Sequence, residues 1–260
     1  MNRQQREELR NAAVAIARKA GNATSAYFAK DIAVERKKDA SPVTVADRMA
    51  EQLMRDLITE SYPDHNIVGE EFGELQQGHS VTWILDPIDG TQSFIHGIPL
   101  YTTLIGITIH SEAHIGVIYA PATGEMCHAA IGLGAQYNGK PCRVRSCANL
   151  SEATVLSTDI TTIQRSGLMA PFSELLHACR VHRTWGDAYG HMMVASGRAD
   201  IMFDPVLNIW DAAPLLPILR ESGGIFRDID GTETITGGNG ISSNRELLPE
   251  LSRILNKQGR

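Results

Sequence analysis

Leu9, Ala13, Ile16, Ala20, Ala23 and Tyr27 recur at three- and four-residue intervals, the spacing of one apolar helix face. This pattern predicts a long amphipathic helix over 4–29. A charged connector follows over 31–43, carrying Lys37, Lys38 and Asp39 and closed by Ser41-Pro42. Thr44 then supplies an N-cap for a second helix, with apolar positions at Met49, Ala50, Leu53, Leu57 and Ile58. Tyr62-Pro63-Asp64 ends it, because the residue before a proline avoids helical dihedrals.

The pattern changes beyond this point. Residues 81–85, 101–109, 114–119 and 125–131 are short β-branched and apolar runs separated by turn residues, which predicts strands. His110-Ser111-Glu112-Ala113 reads as a hairpin connection between two of them. The first part of the chain is therefore expected to pack two helices on a mostly antiparallel sheet. After residue 145 the order changes again. A strand at 154–158 precedes helical stretches near 163–177 and 187–197, and a strand at 199–203 follows. A helix over 211–222 ends at Gly223-Gly224, and a last one uses Leu247, Leu248, Leu251 and Ile254. Strands alternating with helices imply a second α/β layer. The expected fold is an α/β (α+β) layered α/β/α/β sandwich, with subdomains over 1–145 and 146–260.

Composition narrows the function. The 260 residues carry 24 Lys plus Arg against 30 Asp plus Glu, a formal charge of −6. No basic footprint for nucleic acid or an anionic membrane is expected from that balance. No apolar run reaches the ~20 residues of a membrane span. The start of the chain is polar, without the apolar core of a signal peptide. Cys127, Cys142, Cys147 and Cys179 are scattered without zinc-ligand spacing, which fits a reducing, cytoplasmic setting.

Candidate chemistry concentrates at 83–94, WILDPIDGTQSF. An apolar strand delivers Asp86, Pro87 stiffens the backbone, and Asp89 follows before Gly90-Thr91. Two carboxylates held this way can converge on one hard cation, and Gly90 allows close approach of a ligand. Backbone N–H groups at a helix starting near Thr91 would add an anion site. Cation ligands beside a phosphate cradle are the parts that phosphoryl transfer to water needs. Glu70-Glu71 after Asn66-Ile67-Val68 reads equally well as a solvated turn. Asp211 after Trp210 reads as a helix cap, and Asp47 suits the dipole of the second helix. His110 and His114 straddle a hairpin, Gly132-Leu133-Gly134 lacks the rest of a dinucleotide fingerprint, and 228–231 lacks the other ligands of a calcium loop.

Taken together, Gly69-Glu70-Glu71, Asp86-Pro87-Ile88-Asp89-Gly90-Thr91, and Trp210-Asp211 with Gly223-Gly224 resemble the inositol monophosphatase family of metal-dependent, lithium-sensitive phosphatases. Ser41-Pro42-Val43 and Asp47 fit the same pattern upstream. The resemblance implies that Glu70, Asp86 and the Ile88 carbonyl hold one Mg²⁺. It implies that Asp86 bridges to a second, completed by Asp89 and Asp211, with a weaker third ion near Glu70. Oxygen ligands favour Mg²⁺ or Mn²⁺ over zinc. Thr91, hydrogen-bonded towards Asp47, would orient the attacking water, and the N–H groups of Gly90 and Thr91 would hold phosphate oxygens. Relatives of this kind are commonly homodimers.

The substrate implied is a small phosphate monoester, its choice resting on residues 185–189 and 204–208. Arg183-Thr184-Trp185-Gly186-Asp187-Ala188-Tyr189 looks like the histidinol-phosphate phosphatases. Inositol phosphatases usually carry a small hydroxyl or aliphatic residue where Asp187 stands. A carboxylate pairs with the ammonium of histidinol phosphate better than a neutral hydroxyl does. Inositol would offer only hydroxyls, which Asp204 could accept. Histidinol phosphate is thus the expected substrate, in histidine biosynthesis, with inositol monophosphate as the alternative. A regulatory homologue without activity would lack a metal ligand, and Glu70, Asp86, Asp89 and Asp211 are all present.

Overall fold

The computed structural model describes residues 1–37 and 41–255. Lys38 and Asp39 of the expected connector lie outside the described residues. The helices are α1 (Arg3–Thr24), α2 (Val45–Ser61), α3 (Thr91–Ile95), α4 (Ile160–Arg165), α5 (Met169–Ala178), α6 (Asp187–Ala195), α7 (Ile209–Glu221) and α8 (Leu248–Leu255). Strands β1 (Val34–Arg36) and β2 (Pro42–Thr44) pair antiparallel beside the start of α2.

The large sheet contains β3 (Asn66–Gly69), β4 (Gly73–Leu75), β5 (Val81–Asp89), β6 (Thr102–Ile109), β7 (Glu112–Ala120), β8 (Glu125–Ala130), β9 (Gly134–Tyr137) and β10 (Lys140–Pro141). Its order is β10-β9-β8-β7-β6-β5-β3-β4, antiparallel except where β3 runs parallel to β5. The small sheet joins β11 (Thr154–Ser157), β12 (Val181–Arg183), β13 (Ile201–Asp204), β14 (Ile225–Arg227) and β15 (Gly240–Ser243). There β11 lies parallel to both β12 and β13, with β15 and β14 added antiparallel.

Strand periodicity accounts for the layering, since alternate side chains leave opposite faces. Trp83, Leu85, Ile105, Ile107, Ile115 and Val117 face one way, into α1 and α2. Ile84, Leu104 and Ile118 face the other way, meeting α6, α7 and the inner face of the small sheet at Leu156 and Met202. Val155, Ile201 and Phe203 point outward again, onto Phe172 of α5 and Leu251 of α8. The four expected layers are present in order, and α4, α5 and α8 add a fifth on the far face. A sheet buried on one side only would have exposed those outward residues.

Several boundaries differ from the periodicity. Helix α1 stops at Thr24, where Ala26 and Tyr27 donate to carbonyls three residues back and the chain tightens into turns. Tyr27 still packs with Ile88, Phe94 and Tyr101. The stretch 163–177 is two helices, because Gly167 takes a φ of 77° between them. The hairpin after β6 turns on His110 and Ser111 alone, with φ of 50° and 67°, so Glu112 and Ala113 already belong to β7. β12, β14 and β15 are too short for a period to register.

Helix α7 lies between the two sheets and carries Asp211. Its close approach depends on Gly106 and Gly116, which sit opposite each other on β6 and β7. A Cβ on Gly116 would lie 2.0 Å from the Pro214 carbonyl, and one on Gly106 2.5 Å from the Ala213 Cβ. Backbone cannot yield as a side-chain tip can. Gly116→Ala should therefore destabilise the protein by about 1–3 kcal/mol by pushing α7 off the sheet. Thermal unfolding checks this, and a variant as stable as the wild type would refute the contact.

Candidate active site

Asp86 and Asp89 are three residues apart and would leave opposite faces of a regular strand. A register irregularity between them in the β5–β6 pairing brings both to one side. Strand β5 thus continues through Pro87, whose carbonyl accepts from the Thr103 hydroxyl at 2.8 Å. Asp86 accepts from the Ile88 N–H at 3.0 Å, and Asp89 from the Thr102 hydroxyl at 2.9 Å and the Ala188 N–H at 2.8 Å. These bonds fix both carboxylates before any ligand arrives.

Asp211 enters from α7 as the third residue of the helix, where it accepts from the Asn208 N–H at 2.6 Å. Capping and site membership are thus combined in one side chain. Carboxylate oxygens of Asp86, Asp89 and Asp211 lie within 4.8 Å of one another. Glu70 joins them from the turn after β3. That turn is shaped by buried Glu51 of α2, which accepts from the N–H groups of Glu71 at 2.7 Å and Phe72 at 3.2 Å. A Cβ on Gly69 would lie 2.0 Å from the Glu51 Oε1, so only glycine fits there.

Like charges dominate the electrostatics. Burial pushes the Asp86 carboxyl well above the usual range, and Glu70, Asp89 and Asp211 add to the shift. Asp89 is pushed up to about 6 by burial, against the hydrogen bonds from Ala188 and Thr102. Burial followed by Asp89 raises Asp211 well above its usual value. Lys37 offsets part of this, its ammonium lying 2.7 Å from Glu70 and 2.6 Å from Glu71. Oxygen-only donors with this surplus of buried negative charge suit hard divalent cations.

The cavity beside the cluster has a volume of about 600 Å³. Glu70, Asp86, Ile88, Asp89 and Asp211 form its acidic end. Gly90 and Thr91 line it too, as do Gly186 and Asp187. Gly90 has a φ of 78°, and a Cβ there would sit 2.9 Å from the Asp187 Oδ2. Asp187 itself takes a φ of 54°, an uncommon conformation for any residue but glycine. Burial holds its carboxyl well above the usual range, with Asp89 and Asp204 adding to it. Among the described residues, none donates a hydrogen bond to that carboxylate.

Two expected site residues stand behind the wall. Asp47 is 1% exposed and accepts from the Thr44 N–H at 2.7 Å and its hydroxyl at 2.6 Å. The expected bond between Thr91 and Asp47 is not made. Thr91 instead donates to the Ile88 carbonyl at 3.0 Å, because Asp47 is engaged in capping α2. Asp204 is 5% exposed and does not line the cavity; Thr158 covers it, donating to its Oδ2 at 3.1 Å.

The sequence reading missed Thr158, Asp159, Thr162 and Arg165, which also line the cavity, whereas Asn208 falls in the expected 204–208 stretch. A signal existed. Ligands bind beyond the carboxyl ends of parallel strands, and the loops after β11, β12 and β13 meet here. Lys37 was visible only as part of a charged connector.

Removing one charge from the cluster should separate its structural cost from its binding role. In metal-free protein at pH 8, Asp89→Asn should raise the melting temperature by several degrees. The sign follows from a folded pKa above the unfolded value near 3.8: ionisation costs stability above about 6, and the cost fades as pH falls towards 3.8. If the cluster holds a divalent cation, adding one should then stabilise the wild type more than the variant. Equal metal-induced shifts, read by calorimetry, would remove Asp89 from the cation site.

Comparison with known proteins agrees with this geometry. A profile described as the inositol monophosphatase family matches residues 5–260. A protein named histidinol-phosphatase from Chlorobaculum parvum is 42% identical over 232 residues, covering 89% of this chain and 90% of the relative. Another of that name from Streptomyces coelicolor is 34% identical, with 89% and 90% covered. The crystal structure of the extragenic suppressor protein SuhB from Bartonella henselae superposes with a TM-score of 0.90 at 28% identity, covering 96% of this chain and 99% of that one. Matched in sequence and in fold over nearly its whole length, this chain belongs to the inositol monophosphatase family.

Proposed function

We propose that the protein is a Mg²⁺-dependent phosphatase that hydrolyses L-histidinol phosphate to L-histidinol and phosphate. Glu70, Asp86, Asp89, Asp211 and the Ile88 carbonyl would hold two ions, with a third bound more weakly near Glu70. Bound Mg²⁺ supplies the positive charge that neutralises phosphoryl oxygens and makes a water more acidic. The chain's own residues position the reactants. Thr91 spends its hydrogen on the Ile88 carbonyl at 3.0 Å, so its oxygen lone pairs face outward to orient the attacking water. Gly90 leaves room for the phosphoryl group to approach the backbone. The Ile88 carbonyl has a second lone pair, so accepting from Thr91 leaves it available to a cation.

One observation supports the substrate: the Asp187 carboxylate lines the cavity half-buried, and no described residue donates a hydrogen bond to it. A substrate that brings its own cation satisfies that group, and an uncharged polyol does so less well. The relatives named histidinol-phosphatases favour the same choice.

Asp187→Asn tests this, because asparagine tolerates positive φ and keeps the shape while removing the charge. A charge-assisted hydrogen bond contributes roughly 1.5–3 kcal/mol, so kcat/KM for histidinol phosphate should fall about 10- to 150-fold. The loss should fall on histidinol phosphate far more than on glycerol 2-phosphate. A phosphate-release assay with Mg²⁺ measures both, with inositol 1-phosphate alongside. Wild-type preference for inositol 1-phosphate would defeat the assignment.

A further inference from the structure

Asp187 is held from behind by a single hydroxyl. The Thr158 Oγ1 accepts from the Asp187 N–H at 3.0 Å and donates to the Asp204 Oδ2 at 3.1 Å. A hydroxyl has one hydrogen, so giving it to Asp204 forces a lone pair towards Asp187. Asp204 therefore sets the direction in which Thr158 works. The backbones are also pressed together: a Cβ on Gly186 would lie 2.2 Å from the Thr158 Cα. On the other side, the Ala188 N–H is tied to Asp89 at 2.8 Å. The first turn of α6 is thus pinned between the acidic cluster and Thr158, and Asp187 takes its φ of 54° in that grip.

Besides Thr158, Asp204 meets the Val206 N–H and, further inward, His191. His191 of α6 lies wholly buried, its Nε2 3.9 Å from the same Oδ2 and its Nδ1 2.6 Å from the Ser242 hydroxyl. No part of this chain of contacts reaches the cavity except Thr158 and Asp187.

We propose that Asp204 and Thr158 are positioning residues for substrate selection, acting on Asp187 through one oriented hydroxyl and not by touching the substrate. The inference rests on Asp187 reading a substrate cation. It makes Asp204 matter as a hydrogen-bond acceptor, with its charge incidental.

The test compares Thr158→Val, Thr158→Ser, Asp204→Ala, Asp204→Asn and the Thr158→Val/Asp204→Ala double variant. The primary readout is the ratio of kcat/KM for histidinol phosphate to that for glycerol 2-phosphate, resolved into kcat and KM. Amide hydrogen exchange at Asp187 and thermal unfolding accompany it. Thr158→Val and Asp204→Ala should each lower the ratio about three- to tenfold, the range of one neutral hydrogen bond, mainly through KM. Thr158→Ser and Asp204→Asn should stay within about twofold of the wild type, since each keeps the bonding atoms. The double variant should fall no further than Thr158→Val, because both changes break one relay. Asp187 amide exchange should quicken in the variants that lose the ratio.

Additive losses in the double variant, or Asp204→Asn as damaging as Asp204→Ala, would mean that Asp204 contacts the substrate and would overturn the proposal. So would unchanged exchange at Asp187 in folded Thr158→Val. A wild type without preference for histidinol phosphate would defeat the substrate assignment alone. The relay would then stand or fall on the amide exchange.

Discussion

Four acidic side chains from three parts of the chain meet in one partly buried pocket, and their mutual repulsion must be overcome by the rest of the fold. Each is restrained by local bonds: Asp86 by the Ile88 N–H, Asp89 by Thr102 and Ala188, Asp211 by Asn208, and Glu70 by Lys37. Such preorganisation places the cost of assembling negative charge on folding, not on cation binding. The raised carboxyl pKa values express that cost, and a site built this way favours a bound cation.

Packing carries the cluster. Asp211 belongs to a helix clamped between two sheets, and its distance from Asp86 is set by how closely α7 approaches β6 and β7. The paired glycines Gly106 and Gly116 permit that approach. The inner layer is nearly all small or apolar: every residue of α6 from Ala188 to Ala195 is buried. That packed inner layer lets the loops after β11, β12 and β13 present Thr158, Gly186 and Asp187 across the cavity from the acidic cluster. The β5 acids and the facing wall thus come from different sheets, joined through one shared core that also carries Asp211 on α7.

Two acids of similar chemistry illustrate how narrowly role depends on position. Asp211 and Asp47 are each the third residue of a helix and each accept from the residue before it begins. Asp211 also faces the cavity, whereas Asp47 is sealed behind it. The same contrast separates Asp187 from Asp204. Asp204 is buried and Asp187 half-buried, and both have raised pKa values, yet a single threonine hydroxyl lies between Asp204 and the space that Asp187 lines.

Local patterns determined a good deal: α2 with its Thr44 cap, the central antiparallel strands, and the motif acids Glu70, Asp86, Asp89 and Asp211. They were legible because periodicity, proline, glycine and capping act over a few residues of contiguous chain. The family resemblance added the common destination of those acids, which no spacing in the sequence could provide. The fifth layer and the strand bulge that turns Asp86 and Asp89 to one side were decided by the tertiary structure. So were the ion pairs of Lys37, the positive φ of Asp187 and the screening of Asp204. Each depends on which atoms distant in sequence come within about 3 Å, the range over which a hydrogen bond acts. A contact of that kind leaves no period in the chain, so only the folded arrangement reveals it.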